Sequence, residues 1–170
     1  MTFWADPNME PKRLSKWVLR IEGVDTFMCK KVGKPSFSKT EATHAFLNYV
    51  FKFPGRVEWE DVSLTLVDAI DPDVASVIVE KLRRSGYDAA NIDNAAVHLQ
   101  TISKKDSVLA LGNVFIEQID ADGRPVERWY LRNAWVKSAN FGELDYESDE
   151  LLNIELTLTY DWAVQNPREF

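Results

Sequence analysis

The sequence predicts a mainly β protein, an antiparallel β-sandwich or barrel with one packed α-helix. Three observations carry this prediction. Apolar and polar residues alternate with period two in several segments. Only the segment after Asp71 has helical spacing. The order is strands, helix, strands, without the βαβ alternation of a parallel sheet. At 170 residues the chain fits a single domain.

Residues 1–16 read as an extended arm, because Pro7 and Pro11 hold the chain out of helix and Phe3 and Trp4 suit docking better than solvation. The main domain is read as residues 17–162. It opens with Trp17, Leu19 and Ile21 alternating with Lys16, Val18 and Arg20, a half-buried strand. After a turn at Glu22–Asp25, the segment Phe27–Val32 is expected to pair back on it. Residues 35–55 lack a core period; Phe46, Tyr49, Phe51 and Phe53 are spread among polar residues, which indicates a long loop or hairpin of functional use. Val57–Val67 reads as one strand. Asp71 is expected to cap a helix with Pro72 at its first position, Val74, Val77, Ile78 and Leu82 at helical spacing, and Gly86 as its stop.

Tyr87–Ala96 reads as a loop and Val108–Ile119 as a strand turned at Asp120–Gly123 into a partner, Val126–Val136. Trp129 and Trp135 then oppose Tyr130 and Val136, so this strand is either buried on both sides or covered by another subunit. Leu152, Ile154, Leu156, Leu158, Tyr160 and Trp162 form a continuous apolar face. Asn153, Glu155, Thr157, Thr159 and Asp161 form the polar face opposite. Residues 163–170 are left as a tail. Val62–Leu66 and Ile154–Leu158 resemble each other, as alternating strands do.

Composition narrows the function. A formal charge of -7 argues against gripping nucleic acid by its phosphates. The single cysteine, Cys29, can form no internal disulfide and has no Cys or His neighbour at metal-ligand spacing. The N-terminal residues resemble no signal peptide and no apolar run approaches a membrane span, so synthesis and folding in a cytosol are expected. His44 and His98 read as surface or hydrogen-bonded histidines. The carboxylates Glu143, Asp145, Glu147, Asp149 and Glu150 lack the EF-hand pattern and read as a solvated loop. Neither a Gly-rich phosphate loop nor a G-x-S-x-G elbow is present. The expectation is a protein with no catalytic centre, cofactor or metal; a hydrolase using the carboxylate loop is the rival from another class.

Trp135–Lys137, Asn140–Asp149 and Ile154–Trp162 together resemble the tail tube proteins of contractile-tailed bacteriophages, whose chain typically ends in such a hairpin. Met28–Lys30, Pro35 and Trp59–Leu66 look like that family's earlier strands in the same order. The resemblance implies a fold shared with type VI secretion tube proteins and a structural role, with hexameric rings stacked into a conduit for DNA inside a sheath. The implied partners are further copies of the chain, the sheath protein, the baseplate tube initiator, the tail terminator, and DNA passing without specific binding. No membrane binding is implied, and the implied location is the virion tail. A baseplate–tube junction subunit, or the tube of a type VI or extracellular injection system, is the alternative. On this reading Asn153, Glu155, Thr157, Thr159 and Asp161 face the lumen or the sheath. Phe3, Trp4, Phe46, Tyr49, Phe51 and Phe53 make contacts between subunits or rings.

Overall fold

Period-two alternation gives each strand one apolar side, and two sheets built from such strands close on a common core. The computed structural model describes residue 6 and residues 9–87 and 101–166. Among the described residues are ten strands: β1 (Trp17–Ile21), β2 (Cys29–Val32), β3 (Phe37–Phe46), β4 (Tyr49–Trp59), β5 (Val62–Val67), β6 (Val114–Ile119), β7 (Pro125–Arg132), β8 (Trp135–Asn140), β9 (Asn153–Thr159) and β10 (Trp162–Asn166). Two helices, α1 (Val74–Arg84) and α2 (Lys104–Leu111), lie between β5 and β6. The first sheet has the order β1-β6-β7-β10, the second β2-β5-β9-β8, and β3 pairs with β4 alone. All pairings are antiparallel.

Leu19, Ile21, Val114, Ile116 and Leu131 of the first sheet meet Val62, Leu64, Leu66, Ile154, Leu156 and Leu158 of the second in one buried cluster, closed by Met28, Val74, Ile78 and Leu111. The two similar sequence segments are neighbours: Val62 faces Leu158, Leu64 faces Leu156 and Leu66 faces Ile154 across the β5–β9 ladder. Each strand thus presents its apolar side at matched positions, and a register slip of one residue would turn the slipped strand's row to solvent.

The structure departs from the sequence reading wherever the chain changes sheet. Phe27–Val32 does not pair back on β1. A 3-10 turn at Thr26–Met28 leads β2 into the second sheet beside β5. The expected strand Val126–Val136 is two strands, β7 and β8, in different sheets; Asn133, at φ 53°, makes the corner. Trp129 and Trp135 therefore do not share a strand. The long C-terminal strand ends at Thr159, and Trp162 begins β10 against β7, continuing into what reads as a tail. Val57–Val67 breaks at Glu60–Asp61, separating β4 from β5. The loop expected over residues 87–96 lies outside the described residues except for Tyr87.

Helix boundaries shift for capping reasons. The cap of α1 is Asp73, whose Oδ1 accepts from the Ser76 N–H at 3.2 Å, so Pro72 stands before the helix. A second helix, α2, occupies the start of the expected strand 108–119. Ser103 caps it, with Oγ accepting from the Asp106 N–H at 3.0 Å and donating to Asp106 Oδ2 at 2.6 Å. Gly112 ends it at φ 76°, where a Cβ would strike Glu22. Lys81 of α1 donates to the last carbonyls of α2, Ala110 O at 3.1 Å and Leu111 O at 3.3 Å. Burial holds the Lys81 pKa below its usual value.

Glu127 fastens the approach to the sandwich. Its carboxylate accepts from Lys12 of the segment before β1, from Lys34 before the β3–β4 hairpin at 2.7 Å, and from Trp129 Nε1 at 2.5 Å. Backbone bonds extend the first attachment: the Ile119 N–H donates to Lys16 O at 3.2 Å. Burial alone would raise the Glu127 pKa, but the bonds from Lys12, Lys34 and Trp129 together outweigh it and hold the carboxyl at about 2.

Two predictions follow from this packing. Leu156→Ala removes buried volume at the centre of the second sheet and should cost about 2–5 kcal/mol in chemical denaturation. Glu127→Gln should destabilise the protein at neutral pH. Because the folded pKa lies below the usual 4.5, the stability that the carboxylate contributes is present above 4.5 and lost as the pH falls through about 2. The gap between wild type and variant, followed by urea denaturation from pH 7 downward, should therefore close in acid.

Candidate assembly surfaces

Three surfaces outside the core carry more chemistry than solvation requires. The first is the β3–β4 ribbon. Tyr49 faces Phe46, Phe51 faces His44 and Phe53 faces Ala42. Residues 42, 44 and 46 share a side with 49, 51 and 53, so all four aromatics lie on one side of the ribbon. Every residue from Phe37 to Glu58 is exposed. Phe46 is 61% exposed, Tyr49 67%, Phe51 51% and Phe53 54%. The segment read as a loop or hairpin without core periodicity is thus a regular ribbon whose aromatic side stays exposed among the described residues. Its bulge at Lys39/Glu41 is built around Gly55, where a Cβ would lie 2.8 Å from Thr40 O, and the Arg56 N–H donates to Thr40 Oγ1 at 2.9 Å. At its base Phe37 meets Trp59 edge-on at 5.4 Å, and Trp59 packs against the core beside Tyr160. Phe3 and Trp4 lie outside the described residues.

The second surface is the outer side of the second sheet. Asn153, Glu155, Thr157 and Thr159 alternate with the buried Ile154, Leu156 and Leu158. Across the ladders Glu155 faces Thr65 and Asn140, and Thr157 faces Ser63 and Ser138. The result is a hydroxyl and amide surface whose exposed charges, Lys31 facing Thr65 and Glu155 beyond it, lie in one cross-strand row. At its end Asp61 accepts from Lys137 at 2.6 Å and from Thr159 Oγ1 at 2.7 Å, and these bonds lower its pKa. Asp161 does not join this surface. It sits at the corner between β9 and β10, where its carboxylate accepts from Lys104 at 2.7 and 2.8 Å and from Asn133 Nδ2 at 2.7 Å. Those bonds hold its pKa below the usual range. Asp161 ties α2 and the Asn133 corner together, a positioning role that alternation alone does not reveal.

The third surface was missed by the sequence reading. On the outer side of the first sheet Arg20, Phe115, Tyr130 and Val164 lie in one cross-strand row. Glu117 and Arg128 face each other in the next row, and Arg132 faces Trp162. Glu117 is 2% exposed and accepts from Arg20 Nε at 2.9 Å and Arg128 Nε at 2.5 Å. Phe115 and Tyr130 stack at 4.7 Å, with Arg128 over the first ring and Arg132 over the second, 4.6 Å from its centroid. The signal available in sequence was the recurrence of Arg with Phe, Tyr and Trp at same-side strand positions.

Between α1, α2 and β8 lies an apolar hollow of about 370 Å³ lined by Ile78, Leu82, Ile102, Val136 and Phe141. Among the described residues no group of three or more His, Cys, Asp or Glu is placed to hold a metal ion. Burial raises the Cys29 pKa to about 11, so its thiol stays protonated. His44 stands on the ribbon, while His98 lies outside the described residues. No described helix is long and apolar enough to cross a membrane.

No family model matches the sequence, and no curated protein matches it. Solved structures do. A chain in the sheath/tube terminator of the PVC extracellular contractile injection system, in its extended state, superposes with a TM-score of 0.66 at 15% identity, covering 93% of this chain and 98% of its own. A chain in the tube-terminating cap of the anti-feeding prophage gives 0.65 at 15% identity, covering 94% and 93%. One in the six-fold symmetrised baseplate of the anti-feeding prophage gives 0.63 at 14% identity, covering 95% and 100%. At such identities the likeness is one of fold. A sandwich of two four-stranded sheets, with packed helices and a projecting ribbon, is in this protein the tail-tube-like fold of contractile injection systems.

Proposed function

We propose that this chain is a structural tube subunit of a contractile tail, assembling into stacked rings, hexameric as the resemblance implies, that form a conduit for DNA inside a sheath. The observation that carries the reading is the aromatic side of the β3–β4 ribbon. A two-stranded ribbon is marginal in water by itself. Here four large rings on one side stay more than half exposed among the described residues. A neighbouring subunit that covers them supplies the apolar packing a two-stranded ribbon needs. Two complementary surfaces on one chain, ribbon and acceptor, make a heterologous contact that closes into rings or propagates as a tube. The fold likeness to chains of contractile injection systems supports the same reading.

The outer side of the second sheet, with Asn153, Glu155, Thr157 and Thr159, then faces the channel or the sheath. Its hydroxyls, with Lys31 and Glu155 offsetting each other in one row, carry no net positive charge to grip a passing phosphate backbone. The partners in this reading are further copies, a sheath protein, and initiator and terminator subunits at the two ends. The second reading is a junction or terminator subunit, favoured by likeness to chains in terminator and baseplate structures. A chain that forms rings and never extends them would be this one.

Negative-stain electron microscopy of the purified protein should show rings or hollow tubes with a pore wide enough for duplex DNA. Replacing residues 43–52 by an Asn-Gly turn should change the stability of the sandwich by less than about 0.5 kcal/mol, while leaving single rings in place of tubes. Long tubes after that deletion would count against the ribbon. Glu155→Lys should leave thermal stability near that of wild type and alter DNA passage or sheath attachment in an assembled particle. Loss of folded protein in this variant would instead assign Glu155 to the fold.

A further inference from the structure

The outer side of the first sheet holds three arginines and one glutamate, leaving two positive charges in a chain whose formal charge is -7. The glutamate is buried beneath two of those arginines and accepts from the Nε of each, which anchors both guanidiniums at the sheet. Among the described residues no carboxylate pairs with Arg132, which lies only over the Tyr130 ring. Trp162 beside it is 48% exposed. Fixed guanidiniums interleaved with rings suit a surface that brings carboxylates and apolar side chains together. Glu117 at the centre disfavours a polyphosphate.

The chain itself carries such a surface. The strap between β8 and β9, residues 141–151, is exposed throughout and outside any strand or helix. It bears Glu143, Asp145, Glu147, Asp149 and Glu150, and no lysine or arginine of the described residues pairs with any of them. Leu144 and Tyr146 stand fully out between the acids. Its internal bonds are short turns, such as the Glu147 N–H donating to Asp145 Oδ1 at 3.0 Å. The strap follows β8, the edge of the second sheet, whereas the arginines are on the side of the first sheet turned away from the second. The two surfaces lie on opposite layers of one molecule.

We propose that the arginine–aromatic face, formed by Arg20, Phe115, Arg128, Tyr130, Arg132 and Trp162, docks the acidic strap 141–151 of a second copy of this chain. The contact is heterologous, each copy giving its strap to one neighbour and receiving a strap from another. It deepens the self-assembly part of the function proposed above and is separate from the ribbon contact. Like charges placed opposite each other in such a contact are strongly unfavourable, and exposed ones are screened by salt.

The test is a charge swap read by sedimentation velocity at low and high salt. Arg132→Glu on one chain and Asp145→Lys/Glu147→Lys on another should each keep the wild-type circular dichroism spectrum and weaken self-association by at least about tenfold. Mixed in equal amounts, the two variants should associate again, because the glutamate face accepts the lysine strap and the wild-type face accepts the wild-type strap. Folded variants that assemble as well as wild type overturn the proposal and leave the tube reading standing. Folded variants that fail alone and fail to rescue each other also overturn it. A wild type that stays monomeric at every concentration overturns both readings. A face that instead titrates a single-stranded oligonucleotide, with association indifferent to the strap substitutions, assigns it to nucleic acid.

Discussion

One apolar layer is shared by two sheets, and the chain reaches it from both sides by changing sheet at corners. The β1–β2, β7–β8 and β9–β10 connections all cross between the sheets. Each crossing requires that an inward-facing residue before the corner and one after it contribute to the same cluster: Ile21 and Met28, Leu131 and Ala134, Leu158 and Ala163. Everything peripheral hangs on that arrangement. The helices close its open end through Val74, Ile78 and Leu111, and Asp161 with Asn133 and Lys104 fixes the last corner. Because the core consumes the inward side of every sheet strand, the outward sides are left for other purposes, and the two sheets use them differently.

The outer side of the second sheet is hydroxyl-rich and almost neutral; that of the first is cationic and aromatic. The electrostatic contrast is sharper than net charge suggests, since an acidic total conceals one basic face and one acidic strap. Buried Glu117 makes the basic face rigid rather than merely charged, and an isolated carboxylate at that depth would be costly without its two arginines. Glu127 plays the corresponding part on the inner side, where one carboxylate joins the segment before β1, the hairpin base and Trp129.

What could be read in the sequence followed from what period two encodes. β1, β5 and β9 have one buried and one solvated side, so Leu19, Leu64 and Leu156 announce themselves. Sheet changes do not, because a corner at Asn133 or Tyr160–Asp161 costs only one or two residues and leaves the local alternation nearly intact. The helix α2 was hidden for a related reason: Val108-Leu109-Ala110-Leu111 is as apolar as a strand, and only Ser103 with Asp106 and Gly112 marks its ends. The four ribbon aromatics were recognised as unusual, but their common side became visible only with the register of β3 on β4. The arginine face lay below the horizon because charged residues at outward strand positions are ordinarily solvated, and the stacking that sets these apart is a cross-strand property.

The ribbon has a further consequence for how such a chain can change over time. Since residues 38–58 are exposed and none of them joins the described core cluster, substitutions there are largely decoupled from the stability of the domain. On the assembly proposed above, pairing preference can drift while the core stays under its own constraints, and a duplicated copy can acquire a different neighbour without first having to relearn how to fold. Specialised subunits within one machine could then arise from a single sandwich by editing a ribbon, with sequence identity falling long before architecture does.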